Sequence, residues 1–136
     1  MKNELIKLNE EFYSAFENLD IKKMETIWSN DDNAVCIHPG WEIIIGWQKI
    51  KDSWQKIFAS DSLLKFTIRN PRVNVFENGG VVTCVEEIFV STRDRISQTF
   101  VASTNIFKEY DTGLKLVYHH SSPINSSDRN IELNYN

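Results

Sequence analysis

The residues that staple, break or cap a chain are sparse in this sequence, and histidine is rarer still than glycine. Its 136 residues include two cysteines, three prolines, three histidines and five glycines. Cys36 and Cys84 lie far apart, each in an apolar run, so they read as buried free thiols and not as a disulfide framework. No C-x-x-C or H-x-x-x-H spacing occurs, so the usual zinc signatures are missing and no metal or cofactor is expected. A basic excess is also lacking: 15 Lys and Arg stand against 19 Asp and Glu, a net charge of -4. Without a basic face, nucleic acid is not an expected partner. No apolar run approaches the roughly 18 residues of a membrane span, so no membrane partner is expected either. The opening MKNELIKLNEEF has no continuous apolar core, so no secretory signal is read there and the expected location is cytoplasmic. The sequon Asn125-Ser126-Ser127 carries little meaning without secretion. Phosphate loops, dinucleotide fingerprints and nucleophile elbows are absent, as are repeats and linkers.

What is present is one domain, expected over 1–125, with a polar tail over 126–136. Leu5, Leu8, Phe12, Ala15, Phe16 and Leu19 recur at helical steps. Asp20 can cap a second helix over 21–28. Segments 34–38 and 41–45 then form a short hairpin about Pro39-Gly40. Gly46 opens a third helix over 47–58, with Trp47, Ile50, Trp54, Ile57 and Phe58 on one side. From Leu64 the period becomes two. Pro71 cannot donate to a ladder, so a bulge is expected there. Asn78-Gly79-Gly80 turns the chain, and strands over 81–91, 98–110 and 114–121 complete an antiparallel meander. The class is α+β. A strongly curved antiparallel sheet with three helices from the N-terminal half on its inner side leaves a cone, a natural pocket for a small molecule.

Two stretches carry the polar chemistry of that cone. One is AVCIHPGWEIIIG over 34–46, with His38 and Trp41; the other is LVYHHSSP, with His119 and His120. Adjacent strand residues face opposite sides, so only one of His119 and His120 can enter the cone. The same rule admits one of Glu86 and Glu87. A metal set of His38, one terminal histidine and one of these acids is therefore thin, and a polar wall is the better reading. Cys36 and His38 share a strand face, but no third group orients them as a nucleophile pair. Trp41 follows the turn directly, and a flat indole at the mouth favours an apolar or aromatic ligand. Trp28 and Trp54 read as core.

Helix, helix, hairpin, helix and meander, with Cys36-Ile37-His38-Pro39-Gly40-Trp41, Gly46, Ser53-Trp54, Thr104-Asn105-Ile106-Phe107 and His119-His120-Ser121-Ser122-Pro123, resemble the SnoaL-like branch of the nuclear-transport-factor-2-like, or ketosteroid-isomerase-like, superfamily. The likeness covers roughly 5–125. It implies a cone-shaped, cystatin-like barrel, commonly a homodimer packed through the sheet. In the isomerase relatives a carboxylate base precedes the hairpin proline, which places His38 at the base position. Those enzymes also use an oxyanion hole of a tyrosine and a protonated acid. Here the tyrosine position falls on Phe12. Tyr13 is one step, about 100°, around the helix and is expected to turn elsewhere. The acid's strand, 101–107, has no acid, leaving Thr104 or Asn105 as weak donors.

The resemblance thus implies a small-molecule-binding protein. Its chemistry, where it has one, is cofactor-free proton transfer of the isomerase, dehydratase or cyclase kind. His38 is the candidate catalytic residue, and Trp41, His119, His120, Thr104, Asn105 and Tyr13 are the candidate ligand-binding residues. The alternative is a non-catalytic association module joined through its sheet. A cone plugged by Phe12, Phe16 and Trp54 would favour that alternative.

Overall fold

The computed structural model describes residues 1–60 and 62–125. The polar tail expected over 126–136 and two residues of the sequon lie outside them. Helices α1 (Lys2–Glu17), α2 (Ile21–Ile27) and α3 (Trp47–Phe58) accompany strands β1 (Val35–Ile37), β2 (Ile44–Ile45), β3 (Leu63–Phe76), β4 (Gly79–Ser91), β5 (Ile96–Tyr110) and β6 (Gly113–Pro123). The strands form one curved, unclosed sheet in the order β2-β1-β6-β5-β4-β3. The α+β cone is therefore present. One pairing departs from the antiparallel expectation: β1 runs parallel to β6, with Cys36 opposite His119 and Ile37 opposite His120. The chain crosses α3 and the entire meander between these strands, and so long a crossover allows a parallel return.

Local chemistry accounts for the elements. Asp20 caps α2, accepting from the Lys23 amide at 3.0 Å. The turn after His38 closes with Trp41 N donating to His38 O at 2.9 Å, and Gly40 takes φ 82°, which suits glycine. The hairpin ladder itself is short, pairing Val35 with Ile45 and Cys36 with Ile44, so residues 41–43 leave the strand expected over 41–45. In β3 the register shifts between Arg69 and Arg72, with Asn70 at φ 52°, as the missing donor of Pro71 requires.

The helices bury one face against the inner side of the sheet. Leu5, Phe12 and Ala15 from α1 meet Trp47, Ile50 and Trp54 from α3, with Phe107 and Leu116 beneath them. Phe12 and Phe16 stand edge-on to Trp54, at ring centroids of 5.8 Å and 4.7 Å. The aromatic plug named above thus occupies this part of the cone. Among the described residues, no helix is long and apolar enough to cross a membrane.

Candidate functional site

His38 leaves β1 at its C-terminal end and is held in place by rings. Trp41, Trp54 and His119 stand about it at centroid distances of 4.8, 4.7 and 6.5 Å. Its Nε2 lies 2.9 Å from Ser53 Oγ. The only hydroxyl proton of Ser53 goes to the Ile50 carbonyl at 2.6 Å, so His38 Nε2–H must be the donor to Ser53. The unprotonated nitrogen is then Nδ1, 3.9 Å from Cys36 Sγ. Burial lowers the His38 pKa from 6.5 to about 4, so the ring is neutral at neutral pH. Burial raises the Cys36 thiol well above its ordinary range, so no thiolate forms beside it.

Ser53 also lines a cleft of about 600 Å³ between α3 and the β1–β2 hairpin, walled by Trp41, Ile43, Ile44 and Ile45, with Lys49, Asp52 and Lys56 along α3. Trp41 is 43% exposed at this rim. Directly below His38, the Trp54 ring is fully buried, and among the described residues its Nε1–H has no acceptor.

Deeper in the cone the polar side chains close into a ring. Tyr13 OH donates to Glu86 Oε2 at 2.6 Å, and Ser103 Oγ also bonds that oxygen. Ser103 Oγ lies 3.0 Å from Ser121 Oγ, which lies 2.9 Å from His119 Nε2. His119 Nδ1 lies 2.5 Å from Asn105 Oδ1. The Asn105 amide donates to Tyr13 OH at 3.1 Å and to Asn9 Oδ1 at 2.9 Å. All these side chains are buried. Burial pushes the Glu86 carboxyl up to about 6, despite hydrogen bonds that favour its charged form. Burial, with the nearby His38 and His120, pulls His119 down to about 3. Burial and Glu86 together raise the Tyr13 hydroxyl well above 10.0.

These positions sort the sequence candidates. Tyr13, Asn105 and His119 come together in the ring, and His38 with Trp41 sits above it. Thr104 and His120 do not join them. They face each other across β5 and β6 on the opposite side of the sheet, in a shallow cleft of about 300 Å³ shared with Ala102 and Ser122. Strand alternation alone separates each from its inward neighbour. The expected outward turn of Tyr13 is wrong: α1 lies along the sheet, and its buried arc is wide enough for both Phe12 and Tyr13. The acid missing from 101–107 stands one strand away, because Glu86 pairs across to Val101. Glu87 faces outward and forms an ion pair with Arg69 at 2.7 Å. Among the described residues, no group of three His, Cys, Asp or Glu is placed to hold a metal ion. Ser53 and Ser121 entered the sequence reading only as letters of the quoted motifs and Ser103 only within its strand, none with a site role, since single serines carry no periodic signal.

A curved α+β cone with a polar interior and a cleft at its rim defines a protein of the nuclear-transport-factor-2-like type. The family model of the SnoaL-like domain matches residues 5–126, and the chain belongs to that family. Among solved structures, it is similar to a protein proposed as a dehydratase of the NTF2-like family from Streptomyces avermitilis, with TM-score 0.82 and 27% identity over 90% of this chain and 94% of that one. It also superimposes on the CaMKII hub of S. rosetta, with TM-score 0.72 and 22% identity over 88% of this chain and 94% of the hub chain. A curated relative, the F-box protein SKIP8 of Arabidopsis thaliana, is 25% identical over 127 residues, covering 93% of this chain. The chain spans about half of that relative's length, 52%.

Proposed function

We propose that this chain binds a small apolar or aromatic organic molecule in the cleft at Trp41, with the ligand's polar group directed at Ser53. The carrying observation is the cleft itself. Its volume suits a small organic molecule, its hairpin wall is apolar at Trp41, Ile43, Ile44 and Ile45 while Glu42, Lys49, Asp52 and Lys56 line its polar edge, and its buried polar side chain, Ser53, leads straight to His38. The chemistry open to these donors is cofactor-free proton transfer of the isomerase, dehydratase or cyclase kind. His38, neutral with its hydrogen on Nε2, would hold the Ser53 oxygen in place for the ligand's polar group, and the proposed dehydratase from Streptomyces avermitilis lends the proton-transfer class support. The test is native mass spectrometry of protein purified from cells, followed by titration of the released compound against tryptophan fluorescence. Trp41→Ala is expected to weaken binding at least tenfold with an unchanged Tm. Unchanged affinity in that variant sinks the cleft as the site.

The filled cone favours a second reading, an association module. The register puts Leu63, Phe89 and Ile96 on the outer face of the sheet, all exposed, and the CaMKII hub shares this fold. A homodimer would form through that face, and sedimentation at micromolar concentration would detect it.

A further inference from the structure

The buried ring has six contacts in sequence: Tyr13 to Glu86, Glu86 to Ser103, Ser103 to Ser121, Ser121 to His119, His119 to Asn105, and Asn105 back to Tyr13. Each contact needs one hydrogen. Tyr13, Ser103 and Ser121 supply one each, and neutral His119 supplies one. Asn105 supplies one, because its second amide hydrogen goes to Asn9. Five hydrogens serve six contacts when Glu86 is ionised. The Cys84 thiol, 3.6 Å from Tyr13 OH, brings one hydrogen and one contact and leaves the deficit unchanged.

We infer that the ring binds one additional proton, shared between Glu86 and His119 through the hydroxyls of Ser103 and Ser121. With the proton on Glu86, the bonds run Glu86 to Ser103 to Ser121 to His119 Nε2. With the proton on His119, each of these bonds reverses. Both arrangements satisfy all six contacts and leave the pair with no net charge. Without the proton, either the Ser103–Ser121 or the Ser121–His119 contact has no hydrogen, inside a medium where an unmet polar contact is costly. The titratable groups facing the ring are Tyr13 from α1, Cys84 from β4 and His119 from β6, with Cys36 and His38 behind His119. Arg69, Glu87 and His120 lie on the other side of the sheet. Burial raises the Glu86 carboxyl and lowers His119, so the shared proton rests chiefly on Glu86, while the bonds from Ser103, Tyr13 and Ser121 favour its ionised form. The His119 end of the relay stands next to His38, so the store opens toward the buried base of the cleft.

Proton linkage tests this inference. Glu86→Gln removes the titratable carboxyl, so its ring takes up no added proton at this position. From about pH 5 upward, the wild-type unfolding constant divided by that of Glu86→Gln is expected to rise toward tenfold per pH unit, until the ring releases its proton. Ser121→Ala removes two contacts and one hydrogen, so four hydrogens serve four contacts. The same ratio, taken for Ser121→Ala against the Ser121→Ala/Glu86→Gln double variant, is therefore expected to be flat. An acid made weak by burial alone would keep its slope in the Ser121→Ala background, and that result overturns the ring. Should Glu86→Gln not fold, infrared and 15N spectra of the wild type decide the matter. A carboxylate at Glu86 together with a neutral His119 at pH 5 would refute the proposal, whereas a protonated carboxyl or an imidazolium would support it.

Discussion

Packed between the rings of Trp41 and Trp54, the His38 imidazole is buried, and burial governs its response to pH. His38 and Trp41 declared themselves by rarity and by their place beside a turn. Glu86 did not, because one acid of an adjacent pair in an apolar strand looks the same whether it faces a core or an ion pair. The buried histidines set a pH limit. The His38 pKa falls from 6.5 to about 4 in the folded state, so the unfolded chain binds the proton more tightly. Its stabilising share is complete above about pH 6.5 and is lost as the pH falls through the range down to about 4. At roughly 1.4 kcal/mol per pKa unit, this share is on the order of 3 kcal/mol. Urea titrations at pH 7 and pH 4.5 should show His38→Gln losing markedly less stability on acidification than the wild type. Equal losses would mean that the imidazole is not held neutral. Glu86 acts with the opposite sign: its raised pKa contributes below about pH 4.5, and that contribution fades as the pH climbs through about 6.

The elements were far more legible than the residues between them. Periods of 3.6 and 2 are written by many side chains at once, so α3, the meander and the Pro71 bulge fell where the pattern put them. The parallel seam of β1 on β6 was hidden, because three residues of strand carry no record of their distant partner. Gly80 is another case where an element depends on a single position. A Cβ there would stand 2.4 Å from Leu5 Cδ1 and 2.9 Å from the Asn74 carbonyl, so the missing side chain is what lets α1 lie against β4. Gly80→Ala is expected to cost about 1–3 kcal/mol by overpacking. Leu5→Ala in the same chain should recover part of that cost, a non-additivity that chemical denaturation can measure. An unchanged midpoint for Gly80→Ala would show that the helix does not rest on the strand there.

For the whole molecule, the two faces of the sheet divide the open questions. The inner face holds the ring and the rings of His38 and Trp54; the outer face carries Leu63, Phe89 and Ile96 beside the Arg69–Glu87 pair. Self-association through the outer face predicts a dimer by sedimentation at micromolar concentration and a monomer for Phe89→Asp, with little change in Tm because Phe89 is exposed. A wild-type monomer would remove the sheet as the contact.

The parallel seam also carries a kinetic consequence. Each long strand of the meander meets its neighbour through a short turn, whereas β1, beyond its brief ladder with β2, must wait for a partner most of the chain length away. Closing so large a loop is entropically expensive before any contact repays it. His38, placed at the end of β1, therefore acquires its surroundings late, after the meander is built. Pulse-labelled hydrogen exchange during refolding should find the Cys36 amide protected after those of β4 and β5, and simultaneous protection would contradict this order. Until β1 meets β6, His38 lacks the His119 ring at its back, and the floor beneath the cleft is unfinished.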